Sequence, residues 1–166
     1  MGKYHITPER KEYLYQKKEI LYRKGHGKII FGAYLSKIAY MFPLEKHPKL
    51  FSLEETDAIL KRFHLVSAEI CKETKEISAH DLCAELLAIK NSGKSFYVLI
   101  DHDWSFCGIL KIDKIEILNE AIEFGDKIYD DLIFISDDMS FAVSLNFYEM
   151  DGEYYIEVDK WVIRQA

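Results

Sequence analysis

The segment Asp101-His102-Asp103-Trp104 places a histidine between two carboxylates, a set of groups that could relay a proton or hold a metal ion. Neighbouring residues of an extended chain point to opposite faces, so the three side chains converge only where a tight turn folds them together. A polar turn with Trp104 tucked into the core is the plainer reading. His80 and Cys83, three apart, would share one helix face as metal ligands do. Cys71 and Cys107 do not complete a zinc set at the usual short spacings, so Cys83 is read as a small core residue. The acid pairs Asp130-Asp131 and Asp137-Asp138 could serve as acid and base or bind a divalent ion, but their places at the ends of an apolar run fit turns. Asn91-Ser92-Gly93-Lys94-Ser95 ends like a phosphate-binding loop. Its first glycine would fall at Ala88, and a helix precedes where a strand is required. None of the local signatures of nucleophilic hydrolases or zinc proteases is present. The residues therefore predict no cofactor, no metal and no catalytic centre, with a small metal-dependent hydrolase or nuclease-like enzyme as the alternative.

These groups sit on elements that the sequence pattern outlines. Thr7-Pro8-Glu9 reads as an N-cap, a proline at the first helical position and an acid in the first turn. The helix it opens is expected to end near Lys24, at Gly25-His26-Gly27. Lys28 to Phe42 is apolar around most of its circumference and is expected as a buried helix stopped by Pro43, its first half being ambiguous with a strand. Ser52 and Glu55 form a capping-box pattern, and Ile59, Phe63, Val66 and Ile70 then recur at helical spacing to about Thr74. Ser78 caps a last helix with Leu82, Leu86 and Ile89, closed by Asn91-Ser92-Gly93.

From Phe96 the period shortens. FYVLI, CGILKID, KIEIL and LIFIS read as short strands, followed by the best-specified stretch, Asp131 to Ile163. Its Asp151-Gly152 pair between alternating runs marks a two-residue hairpin turn, which fixes the register. Met150 opposes Glu153, Phe147 opposes Ile156 and Leu145 opposes Val158 on an apolar side. Tyr148 opposes Tyr155, Asn146 opposes Glu157 and Ser144 opposes Asp159 on a polar one. Val143 against Lys160 should end or bulge the ladder before Trp161. Helices first and strands afterwards predict a single α+β domain over residues 1–166, with N-terminal helices packed on one face of a C-terminal antiparallel sheet.

Composition agrees with a packed core, 49% of residues being hydrophobic and 14% aromatic. Three cysteines in apolar contexts and a start without a signal-like apolar core point to the cytoplasm, and no run approaches the ~18 apolar residues of a spanning helix. Charge is divided unevenly. Residues 1–94 carry 17 Lys+Arg against 12 Asp+Glu, whereas 95–166 carry 5 against 16, a net of −11. Such a field disfavours nucleic acid and membrane and favours a cationic partner. Asp137, Asp138, Tyr148, Glu149, Asp151, Glu153, Tyr155, Glu157 and Asp159 are the candidate partner-binding residues, tyrosine being a rigid amphipathic anchor within matching carboxylates.

The stretch FYVLIDHDWSFCG, with DLIFISDDMSFAVSLNFYEMDGEYYIEVDKW after it, resembles the small cytoplasmic immunity proteins of bacterial contact-dependent growth inhibition systems. The resemblance covers Phe96 to Trp161 and implies a non-enzymatic inhibitor of the toxic C-terminal domain of a cognate effector, often a basic nuclease. It transfers no site residue. A regulatory module for another cationic protein is a further alternative.

Overall fold

The computed structural model describes residues 6–68 and 71–162, so Ile70 and Ile163, the expected ends of a helix stripe and of the hairpin stretch, lie outside it. The order is α1 (Pro8–Met41), β1 (Lys49–Leu50), α2 (Leu53–Ser67), β2 (Cys71–Ser78), a 3₁₀ turn (Ala79–Asp81) and α3 (Leu82–Lys90). It continues with β3 (Phe96–Ile100), α4 (Trp104–Cys107), β4 (Leu110–Ile112), a 3₁₀ turn (Ile115–Ile117), β5 (Asp131–Ser136), β6 (Phe141–Met150) and β7 (Glu153–Val162). Seven strands form one antiparallel sheet in the order β1-β4-β3-β5-β6-β7-β2, giving the expected α+β class.

The sheet buries both faces. On one, Tyr34, Ile38 and Met41 of α1 and Leu82, Leu86 and Ile89 of α3 pack on Val98, Ile100, Leu110, Phe134, Val143 and Leu145. Residues next to these along the strands point the other way. There Phe63 of α2, with Ile59, Leu60 and Val66, packs on Leu99, Ile135, Ala142 and Trp161. The single-face arrangement thus describes α1 and α3, while α2 crosses to the opposite face. Trp104 is half-buried against this smaller cluster.

Several local expectations are corrected. Gly25-His26-Gly27 does not end a helix; α1 runs through it for 34 residues. Gly27 is small for a packing reason, since a Cβ there would stand 2.3 Å from the Phe106 carbonyl oxygen, whereas one at Gly25 would meet nothing within 4 Å. The helix after Gly27 buries one stripe, not most of its circumference; Ile29, Phe31 and Leu35 are exposed. Pro43 stops it as expected, with Phe42 as the C-cap. The Ser52–Glu55 capping box forms on both sides. Its helix stops at Ser67, and residues 71–78 are the edge strand β2, whose alternating charges suit an exposed edge. Ile115–Ile117 of the expected KIEIL strand is a 3₁₀ turn that buries Ile115 and Leu118, three residues apart. Every expected hairpin pair is present, with Asp151 (φ 54°) and Gly152 (φ 79°) both in the left-handed region. The ladder does not end at Val143–Lys160. It continues to Phe141–Val162 because Lys160 finds Glu85 of α3 at 2.9 Å.

One buried ion pair ties helix to sheet. Lys37 of α1 donates to Asp101 at 2.5 Å and lies 3.0 Å from Asp103, with the Tyr129 ring 5.2 Å beneath its ammonium. Burial would lower the Lys37 pKa, but the two carboxylates outweigh it and hold the ammonium protonated. Asp101 also accepts the backbone N–H groups of Tyr129, Asp130 and Asp131. The other anchors of α1 use the same segment: Arg23 donates to the Ser105 carbonyl at 2.6 Å and Tyr34 to that of Gly108 at 2.8 Å. The expected polar turn at Asp101-His102-Asp103 is therefore the socket of α1, with only His102 exposed.

Asp101→Ala should cost about 3–5 kcal/mol of unfolding free energy in urea titration, because it leaves three backbone donors unpaired and the buried ammonium with Asp103 alone. Gly25→Ala, in contrast, should raise stability by about 0.5–1 kcal/mol, the usual helix-interior gain, while Gly27→Ala lowers it.

Candidate functional site

The candidate partner-binding residues separate into three groups once folded. Asp137 and Asp138 lie in the β5–β6 turn, at the far end of β6 from the Asp151-Gly152 turn. That distance is about 30 Å of strand. Asp137 pairs with Lys111 at 2.9 Å. Asp138 accepts Ser136 and Ser140 hydroxyls, the Ser140 N–H and Lys94, which hold its carboxyl well below the usual range despite slight burial. Both carboxylates are thus engaged in holding the turn and the Lys94 loop. Glu149 projects to the face of the sheet on which α1 and α3 pack, and Asp151 occupies the tip.

Tyr148, Glu153, Tyr155, Glu157 and Asp159 come together on the other face, beyond the part that α2 covers. β2 lies beside β7 there and adds Lys72, Thr74, Glu76 and Ser78. Directly opposed residues of antiparallel strands share a face, so the surface can be read as rows. Ser78, Tyr155 and Tyr148 form one row, with the two rings stacked at 5.8 Å. Asp131, Asn146, Glu157 and Glu76 form the next. Ile133, Ser144, Asp159 and Thr74 form a third, in which Asp159 accepts the Thr74 hydroxyl at 2.6 Å and pairs with Lys72 at 3.1 Å.

The second row is electrostatically unbalanced. Glu157 and Glu76 stand directly opposite each other, an arrangement that destabilises a sheet unless a cation lies between them. Tyr148 donates its hydroxyl to Glu76, which relieves one carboxylate and raises the phenol to about 12. Glu157 makes no side-chain hydrogen bond or ion pair among the described residues. Tyr155 donates to Glu153 at 2.7 Å, and that bond raises its own pKa. At the end of the row, one Asp131 oxygen is buried without a hydrogen-bond partner. Burial raises the Asp131 pKa to about 6, opposed by His102 and aided by Asp101 and Asp130.

Reasoning along the chain missed Glu76, Asp131 and Asn146 as parts of this surface. Glu76 could have been found from the alternating Lys-Glu-Thr-Lys-Glu run, which has the period of an edge strand. No local signal says which strand that edge adjoins.

Of the remaining chemical candidates, Asn91-Ser92-Gly93 makes the expected helix-to-strand turn, with Gly93 at φ 67°. Cys83 is exposed, not a core residue, because its position on α3 faces solvent. Cys107 is half-buried, its thiol directed to the Gly27 carbonyl at 3.7 Å and pushed up to about 11 by burial and by Asp103. Among the described residues no three His, Cys, Asp or Glu side chains form a metal-holding group, and no helix is long and apolar enough to cross a membrane. Comparison of the chain with protein-family models, curated proteins and solved structures gave no match.

Asp131 supplies a pH test of this geometry. Its folded pKa lies above the unfolded value near 3.9, so the folded state binds the extra proton between about pH 4 and 6 and stability falls as pH rises through that window. Asp131→Asn should gain on the order of 1 kcal/mol at pH 7, discounted for partial solvent screening, and nothing below about pH 4. Urea midpoints at the two pH values measure it.

Proposed function

We propose that the chain is an immunity protein that neutralises a cognate toxin domain by binding it, the tyrosine and carboxylate face of β6, β7 and β2 covering a cationic active site or substrate groove. The observation that carries this reading is the row in which Glu157 and Glu76 oppose one another without a cation, beside the stacked Tyr148–Tyr155 pair. Carboxylates spaced along strands take the place of nucleic-acid phosphates against Lys and Arg of a basic nuclease, and each charge brought by the toxin relieves a repulsion already present. The rings add apolar anchoring at little entropic cost, having few rotors to fix. Of the acid pairs that a metal-dependent hydrolase would use, Asp137-Asp138 is spent on other tasks, Asp137 on Lys111 and Asp138 on its own turn. Lys72 on β2, paired with Asp159, limits the patch, so the face is selective in outline as well as in sign.

Glu153→Lys combined with Glu157→Lys should leave the circular dichroism spectrum unchanged, since both side chains are exposed, yet weaken the toxin complex at least 100-fold in titration calorimetry. Protection in cells expressing the toxic C-terminal domain of the adjacent effector gene should be lost together with it. A folded double variant that protects like the parent returns this face to a purely structural role.

A further inference from the structure

Among the described residues, half of the sixteen exposed large hydrophobics lie on one helix: Tyr13, Leu14, Tyr15, Leu21, Tyr22, Ile29, Phe31 and Leu35 of α1. The helix is about 50 Å long at 1.5 Å per residue, and it is anchored to the body only from Arg23 onwards. Residues 8–19 are exposed around their whole circumference. Among the described residues their one side-chain hydrogen bond is internal to α1, from Gln16 to Glu12, while the Arg10 N–H donates to the Thr7 hydroxyl of the cap. Isolated surface hydrophobics need no explanation, but a stripe along an unsupported helix does.

The stripe has a seven-residue period, which is the period of a seam between two helices. Leu14, Leu21, Lys28 and Leu35 form one line, and Lys18, Gly25 and Gly32 form the line beside it, on the side away from Tyr34, Lys37 and Ile38. Gly25 and Gly32 sit in open space with nothing within 4 Å of a Cβ, so neither is small on account of its own chain. Each costs helix stability without a return inside the monomer.

We infer that α1 is the seam of a two-fold dimer, in which the α1 helices of two copies pack antiparallel and cross at Gly25. In that register Leu14 meets Leu35 of the other copy, Lys18 meets Gly32, Leu21 meets the stem of Lys28, and Gly25 meets Gly25. Every bulky seam position thereby faces a small or apolar one. Tyr22 falls beside Ile29 and Lys17 beside the ring of Phe31. The symmetry makes the contact isologous, so it closes at two copies and does not propagate.

Charge fixes the direction. The outward side of the projecting half carries Arg10, Lys11, Lys17 and Lys18, whereas the last turn of α1 has no basic residue to balance its C-terminal dipole. Antiparallel packing lays Arg10 and Lys11 beside the other copy's C-terminal helix end, which Glu123, its N–H bonded to the Tyr40 hydroxyl, and Lys127, 5.9 Å over the Tyr40 ring, adjoin. Parallel packing would set the four cations against their own copies. Lys24 near the crossing is already matched by Glu54 at 3.0 Å, and Arg23 by Asp57 at 2.8 Å, which removes the repulsion those residues would bring to the two-fold axis.

Sedimentation equilibrium of the full chain at 1–100 μM tests the seam, with Gly25→Leu as the decisive variant. The expected result is a species of twice the 19.5 kDa chain mass for the wild type. Gly25→Leu should raise the dimer dissociation constant at least tenfold while the melting temperature measured in dilute, monomeric solution stays level or rises. Leu21→Glu should dissociate the dimer in the same way. A wild type that stays at the mass of one chain throughout overturns the inference, as does a Gly25→Leu protein that dimerises like the parent. Monomers that bind vesicles containing phosphatidylserine would also overturn it, assigning the stripe to an anionic bilayer instead.

Discussion

The buried contact between Lys37 and Asp101 is the constraint on which the arrangement of this protein depends. A charged pair removed from water adds little stability by itself, since desolvation consumes most of its attraction. Its effect here is on geometry. Asp101 is in the left-handed region at φ 48° and accepts hydrogen bonds from Tyr129, Asp130 and Asp131, the residues that lead into β5, while holding the ammonium of α1. One carboxylate thus sets the end of β3, the start of β5 and the axial position of a 34-residue helix. The neighbouring bonds of Arg23 and Tyr34 to the carbonyls of Ser105 and Gly108 keep the same helix from rotating. Gly27 allows it to come close enough, and Gly108, at φ 94° and under the Phe51 carbonyl, allows the chain to leave the socket.

From this anchor the sheet extends outwards in a graded way. Near α1 and α3 it is covered on both sides and apolar. Towards β7 and β2 the cover on the α2 side ends, and the exposed face turns polar, then acidic. The transition occurs within single strands: β6 passes from Ala142 beneath α2 to Asn146 and Tyr148 in the open, and β7 from Trp161 to Glu157 and Tyr155. The open face is therefore rigid, because its strands are pinned at the covered end. Its backbone is thus ordered without the cost a loop would bear.

Local sequence was informative where one face and one turn decided the outcome. The hairpin register follows from alternation and Asp151-Gly152, and the Ser52–Glu55 box from four residues. It misled where the deciding partner was distant. Gly25-His26-Gly27 reads as a stop, yet Tyr34 and Lys37 keep the chain helical beyond it through contacts with residues 101–108. Lys160 reads as a defect in an apolar line until Glu85 stands beside it, its carboxyl kept ionised against burial by Lys75 and Lys160. For the candidate face, the tyrosines and the acids of β7 were legible from charge and register. Their separation from Asp137 and Asp138, and the addition of Glu76, were not, because strand order is a property of the whole chain.

The placement of β2 has a consequence for how the protein comes into being. Among the described residues its only neighbour in the sheet is β7, which is synthesised after β3, β4, β5 and β6. During synthesis at about 5–20 residues per second, β2 must wait several seconds with both edges open before its partner exists. The alternating Lys, Glu and Thr residues that make it a poor template for other chains are then a safeguard for the nascent polypeptide as much as for the finished one. Loss of β7 would release β2 as well, one strand at each end of that wait.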